Sequence, residues 1–224
     1  EYTLSRNENG NTLHGGNKGF QHIVWDALQL DDATLNLKYF SKDNEEGFPG
    51  NLNVNVKFTL TDGNSLRIDY EAFCDQKTIV NLTNHSFFNL NGQGESQILG
   101  HLMQINADHY TPVDSSLIPI GGIEPVDGTA FDFREIRPIH DNMAKLGLNG
   151  FDHNFVLNRD GSRGLVSAVK LVSPISGIQM DIFTEEPCLL FYSGGGMKGQ
   201  NLLKKGQRDY PSTALVLETH QFPD

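Results

Sequence analysis

Apolar and polar residues alternate with a period of two in five short runs: ATLNLKYF, NLNVNVKFTL, SLRIDYEAF, TIVNLTNHSFFNL and ALVLETHQF. Successive side chains of an extended strand point to opposite faces, so this alternation predicts strands with one buried and one solvated face. Between the runs lie GFPGN, TDGN, NGQGES, SPISG and SGGGMKGQ, which put Gly, Pro, Asn and Asp where a reversing chain needs a positive or fixed φ. NVNVKFTL, TDGN and SLRIDYEAF together predict a hairpin. Helical candidates are short, around Asp141 to Leu148 and near Gln200 to Lys204. The pattern therefore predicts an all-β protein, an antiparallel β-sandwich in which helices are decoration. No repeat or linker divides the 224 residues, so a single domain over 1–224 is expected. ALVLETHQF reads as an interior strand that needs a further neighbour to cover it, and EYTLSRNENG starts abruptly. The expectation is a sandwich truncated at both ends.

Composition narrows the classes of partner. Seventeen Lys and Arg against 28 Asp and Glu give 17 − 28 = −11, a charge that opposes phosphate backbones and anionic lipid surfaces. Nucleic acid and membrane are thus not the expected partners, whereas a neutral ligand is indifferent to net charge. Cys74 and Cys188 are far apart, with no CxxC or Cys/His ligand spacing, which indicates neither a disulfide framework nor a zinc site. No apolar run approaches the ~18 residues that cross a bilayer, and the first residues are polar rather than signal-like. A cytoplasmic location is the expectation.

Four places carry candidate chemistry. If TIVNLTNHSFFNL is a strand, Asn81, Thr83, His85, Phe87 and Asn89 share one face. His85 then has polar neighbours and an aromatic beside it; a structural histidine satisfied by Thr83 or Asn81 and a proton-transfer group both fit that setting. Glu218 sits within an apolar strand, sharing a face with Val216 and His220, where a carboxylate pays for desolvation unless it is paired or functional. A strand-end Glu reaching solvent or an Arg is the alternative. NGFDHNFVLN places Asp152 and Asn154 on one face and Phe151, His153, Phe155 and Leu157 on the other. Short polar groups beside aromatics suit a hydroxyl-rich ligand, and a turn or cap role for Asp152 suits the pattern too. His14 lies in NTLHGGNKGF, where Gly15 and Gly16 indicate a loop. His153 is expected to pack with its apolar neighbours, SGGGMKG to form a turn, and Asp43, Glu45 and Glu46 to make a solvated loop.

Taken in order, NTLHGGNKGF, EEGFPGNL, TIVNLTNHSFFNL, ADHYTPVDSSLIPIGGIEPVDGTAFDFR, NGFDHNFVLN and LVLETHQFPD resemble the signatures of the aldose 1-epimerases, and they run across nearly the whole chain. The resemblance implies a large antiparallel β-sandwich of the galactose-mutarotase-like kind, no cofactor, and interconversion of the α and β anomers of free monosaccharides such as galactose and glucose. By matching motif, His85 corresponds to the general acid and Glu218 to the general base. His14 and Asp152 correspond to sugar-binding positions. The four side chains are then expected to converge on one cleft, acid and base on opposite sides of a sugar-sized space. An Asn-Arg pair ahead of the LHGG segment, and further strands after FPD, are implied outside these residues. Three other readings compete. A non-catalytic carbohydrate-binding module would use His14 and Asp152 but make no demand on Glu218. A glycosidase built on Asp152 and Glu218 would leave His85 without a task. A sugar-phosphate enzyme would call for clustered cations, where only scattered ones such as Arg134 and Arg137 are found.

Overall fold

The computed structural model describes residues 2–93, 96–146, 150–161 and 163–223. Their contacts group into two compact units, Glu1–Leu82 and Thr83–Asp224.

In the amino-terminal unit, strands β1 (Asp26–Asp31), β2 (Thr34–Ser41), β3 (Leu52–Leu60) and β4 (Leu66–Cys74) form an antiparallel sheet in sequence order. The expected hairpin is β3 and β4, in register from Leu52 opposite Cys74 to Leu60 opposite Leu66. Its connection closes where Thr61 N–H donates to the Ser65 carbonyl at 2.9 Å, with Asn64 at φ 56, a conformation Asn tolerates better than most residues. Val54 and Val56 of β3 turn inward, and the rings of Phe20, Trp25 and Tyr39 pack edge-on or tilted with centroids 5.5 to 6.0 Å apart.

The acidic cluster lies on an exposed to half-exposed loop, as expected, and it also fastens that loop. Glu45 accepts from the hydroxyls of Tyr39 and Ser41, and Asp43 accepts the Gly50 amide at 2.6 Å. Glu46 takes the amides of Asn17 and Lys18, each at 2.9 Å, which anchors the segment carrying His14. The Ser5 hydroxyl, followed by these two amides, holds the Glu46 carboxyl below its usual range.

The carboxy-terminal unit contains β5 (Phe87–Phe88), β6 (Leu102–Ile105), β7 (His109–Thr111), β8 (Glu124–Pro125), β9 (Arg137–Pro138), α1 (Ile139–Leu146), β10 (Asp152–Val156), β11 (Val166–Val172), β12 (Gln179–Thr184), β13 (Cys188–Tyr192) and β14 (Leu215–His220). They form a sheet in the order β5-β14-β13-β10-β7-β8 and a second in the order β12-β11-β6-β9. All the described strand pairs of this unit are antiparallel. Phe155, Leu189, Phe191, Leu215 and Leu217 of the larger sheet share one buried core with Met103, Ile105, Val169 and Leu171 of the smaller. Two antiparallel sheets around one core make this unit a β-sandwich, the expected fold class, to which the period-2 runs contribute only β14 and the short β5, the other three runs forming the amino-terminal sheet. Each large apolar side chain buried in the sandwich contributes about 1.5–3 kcal/mol.

Two local expectations change. TIVNLTNHSFFNL holds a strand only at Phe87–Phe88. Asn84 Oδ1 accepts the Ser86 amide at 3.1 Å, a turn that competes with strand pairing just before β5. Beyond β5, the Asn89 side chain donates to the carbonyls of Ser96 and Thr213 at 2.7 and 3.0 Å. The predicted helix starts two residues earlier than expected, and its last positions, Gly147 and Leu148, lie outside the described residues. Gly94 and Glu95 of the NGQGES turn, Asn149 of NGFDHN and Asp224 of the FPD segment lie outside them as well. Near Gln200 to Lys204 there is a single 3₁₀ turn, Lys204–Gly206. No helix among the described residues is long and apolar enough to cross a membrane.

Candidate active site

Residues directly opposite one another in an antiparallel pair project to the same side of the sheet. The register of the larger sheet therefore sorts its side chains. Asp152 faces Tyr192, Tyr192 faces Val216, and Val216 faces Phe87. In the next row Thr111 faces Asn154, Asn154 faces Leu190, and Leu190 faces Glu218. Below that, Val156 faces Cys188 and Cys188 faces His220. Thus Asp152, Asn154, Tyr192, Thr111, Glu218 and His220 gather on one side, while the alternating Phe155, Leu189, Phe191 and Leu217 fill the core on the other.

His85 joins this face from the segment before β5. Its ring lies against Phe87 with centroids 5.0 Å apart, and its Nε2 is 3.7 Å from Glu218 Oε1. Acid and base candidates are direct neighbours here, rather than standing across a sugar-sized space. Glu218 is only 7% exposed. Burial raises its pKa; the His85 charge opposes that rise and the negative charge of Asp152 adds to it, leaving the carboxyl above its usual range. Burial also raises Asp152, again with His85 in opposition. The three groups thus form one electrostatic cluster.

Beside it, His220 Nε2 lies 2.8 Å from Asn154 Oδ1, and Asn154 Nδ2 donates to Thr111 Oγ1 at 3.2 Å. With the amide in that orientation His220 is the donor. Burial pushes the His220 pKa down, which keeps the ring neutral, and pushes the Cys188 thiol up to about 11. His153 occupies the opposite, apolar side as its pattern predicts: its ring is 4.7 Å from that of Phe131, and burial lowers its pKa to about 4. Among the described residues, no three His, Cys, Asp or Glu side chains are grouped to hold a metal ion.

His85, Asp152 and Glu218 are brought together within the carboxy-terminal unit. His14 belongs to the amino-terminal unit, exposed on a loop where His14, Gly15 and Gly16 have φ of 51, 81 and 93. Glycine adopts this left-handed conformation without steric cost, which suits Gly15 and Gly16, while His14 adopts it as a non-glycine residue. Asn7 holds the loop by accepting the Leu13 amide and donating to the Leu13 and Gly16 carbonyls. No local sequence pattern singles out Tyr192 or Thr111. Both alternate correctly within short strands, but only the pairing of those strands reveals what stands beside them.

A family profile described as aldose 1-epimerase matches residues 1–224. The chain is 41% identical over 225 residues to a human galactose mutarotase and 38% identical over 229 residues to an aldose 1-epimerase of Escherichia coli. These alignments cover 100% and 99% of this chain, and the chain spans 64% of the length of each relative. Among solved structures, a galactose 1-epimerase from Lactobacillus acidophilus superposes with a TM-score of 0.84 at 30% identity, covering 99% of this chain and 65% of that one. An aldose epimerase homologue from C. elegans gives a TM-score of 0.85 at 26% identity, covering 98% of this chain and 66% of that one. With its ordered motifs, its antiparallel sandwich and a profile match from first residue to last, the chain belongs to the aldose 1-epimerase family.

Proposed function

We propose that the protein interconverts the α and β anomers of a free aldose such as galactose or glucose. Glu218 is its general base and His85 its general acid, while Asp152 binds a sugar hydroxyl; the LHGG motif makes His14 of the amino-terminal unit a further sugar-binding candidate. The observation that carries this reading is the contact between the His85 imidazole and the buried Glu218 carboxylate, with Asp152 in the same cluster.

The chemistry suits neighbouring groups. In a cyclic hemiacetal the anomeric hydroxyl and the ring oxygen are both bonded to C1, so the residues serving them need to be adjacent. Glu218 takes the proton of the anomeric hydroxyl, and its raised pKa makes it a stronger base than an ordinary carboxylate. As the C1–O5 bond breaks and C1=O forms, His85 delivers a proton to the leaving ring oxygen. Rotation about C1–C2 turns the other face of the aldehyde toward O5. Reclosure reverses the transfers: O5 returns its proton to the imidazole while bonding to C1, and Glu218 returns the other to the carbonyl oxygen. Both residues end as they began, and no redox step occurs.

Polarimetry from pure α-galactose tests this reading. Accelerated approach to the anomeric equilibrium, lost in Glu218→Gln, supports it. A protein that binds galactose without accelerating the change is a carbohydrate-binding module.

A further inference from the structure

The SGGGMKG segment has a structural task beyond turning the chain. Gly194 has φ 74, and a side chain there would collide with the Ala214 carbonyl. Its own carbonyl accepts the amides of Met197 and Ser212 at 3.2 and 3.1 Å, which folds the loop back over the end of β13. The loop then presents the Gly196 N–H to the Tyr192 hydroxyl oxygen at 2.8 Å. A Cβ on Gly196 would stand 2.9 Å from that oxygen, so a side chain there would displace the phenol from this position. Tyr192 is directly opposite Asp152 in the β10–β13 pair, on the face that carries Glu218. Burial and the charge of Asp152 raise the phenol pKa, so the hydroxyl keeps its proton at neutral pH.

A phenol that accepts one backbone N–H still has its own hydrogen to donate. The residue directly opposite, close enough for its charge to act on the phenol, is Asp152, whose ionised carboxylate can only accept. That combination is complementary to a single alcohol group, which gives its hydrogen to the carboxylate and receives one at its oxygen. We infer that Tyr192 is a further substrate-contacting residue, its hydroxyl donating to the same sugar hydroxyl whose proton Asp152 accepts. The inference rests on the proposed sugar-binding role of Asp152 and extends it. The Gly-rich loop is then part of the specificity apparatus, because it fixes the direction of the Tyr192 proton.

The test compares wild type, Tyr192→Phe, Gly196→Ala and Asp152→Asn on galactose and its 2-, 3-, 4- and 6-deoxy derivatives, by polarimetric kcat and KM and by calorimetric binding. Tyr192→Phe keeps the ring and removes only the donor, so binding of galactose should weaken about three- to tenfold, with the loss appearing mainly in KM. On one deoxy sugar the loss should vanish, and it should be the sugar on which Asp152→Asn also has no effect. Gly196→Ala, with Tyr192 intact, should show the same pattern at smaller amplitude. A Tyr192→Phe loss that is absent, equal on every sugar, or cancelled by a different deoxygenation from that of Asp152→Asn overturns the inference. So does an inert Gly196→Ala. The calorimetric arm reads these outcomes even if wild type fails to accelerate mutarotation, a failure that would count against the proposed function alone.

Discussion

Replacing Glu218 with Gln should make the protein more stable at pH 7 than at pH 4, relative to wild type. Glu218 is 7% exposed, and its folded-state pKa is raised by burial and by Asp152 despite His85. A carboxyl with a raised folded pKa binds more protons folded than unfolded. Its contribution to stability is full below the unfolded pKa of about 4.3 and is lost as pH rises through the folded value. Each factor of ten between the two proton affinities is worth about 1.4 kcal/mol, or about 3–6 °C in the midpoint of a domain this size. Gln has no proton to lose, so the variant escapes the penalty. Thermal unfolding of both proteins should therefore show midpoints whose difference shifts in favour of the variant between pH 4 and pH 7. Packing changes caused by the amide are independent of pH and cancel from that comparison. A difference that is flat, or that moves toward wild type as pH rises, refutes the idea that Glu218 is held at an energetic cost.

Asp152→Asn should raise KM more than it lowers kcat. Because Asp152 raises the Glu218 pKa, the acidic limb of the kcat profile should also move to lower pH; an unmoved limb counts against the electrostatic cluster. Phe155→Ala, at a ring with 0% exposure in the core of the sandwich, should cost about 3–5 kcal/mol, read from the denaturant midpoint. A cost below about 1 kcal/mol would contradict the described packing.

The hairpin of β3 and β4 was legible because alternation and a TDGN turn agree on it. The setting of Glu218 was legible for a different reason: a carboxylate within an apolar strand is expected to be desolvated, and the structure buries it, with the register putting it beside Leu190 on the face with Asp152. The strand expected through His85 failed because alternation ignores competition from side chains, and Asn84 caps the backbone of Ser86. The acidic cluster was legible as a solvated loop, but charge alone does not show that Glu46 also accepts the amides of Asn17 and Lys18, far away in sequence. The place of Tyr192 opposite Asp152 was not legible, because it depends on strand order, which no local pattern encodes.

If Glu218 and His85 work as one acid–base unit, the polarimetric turnover of Glu218→Gln, His85→Asn and the double variant from pure α-galactose will show it. Each single variant should lose roughly 10²- to 10⁴-fold in kcat. The double variant should be little slower than the poorer single one, because removing either partner already disables the unit. Near-normal turnover in Glu218→Gln, or losses that multiply in the double variant, would contradict the account.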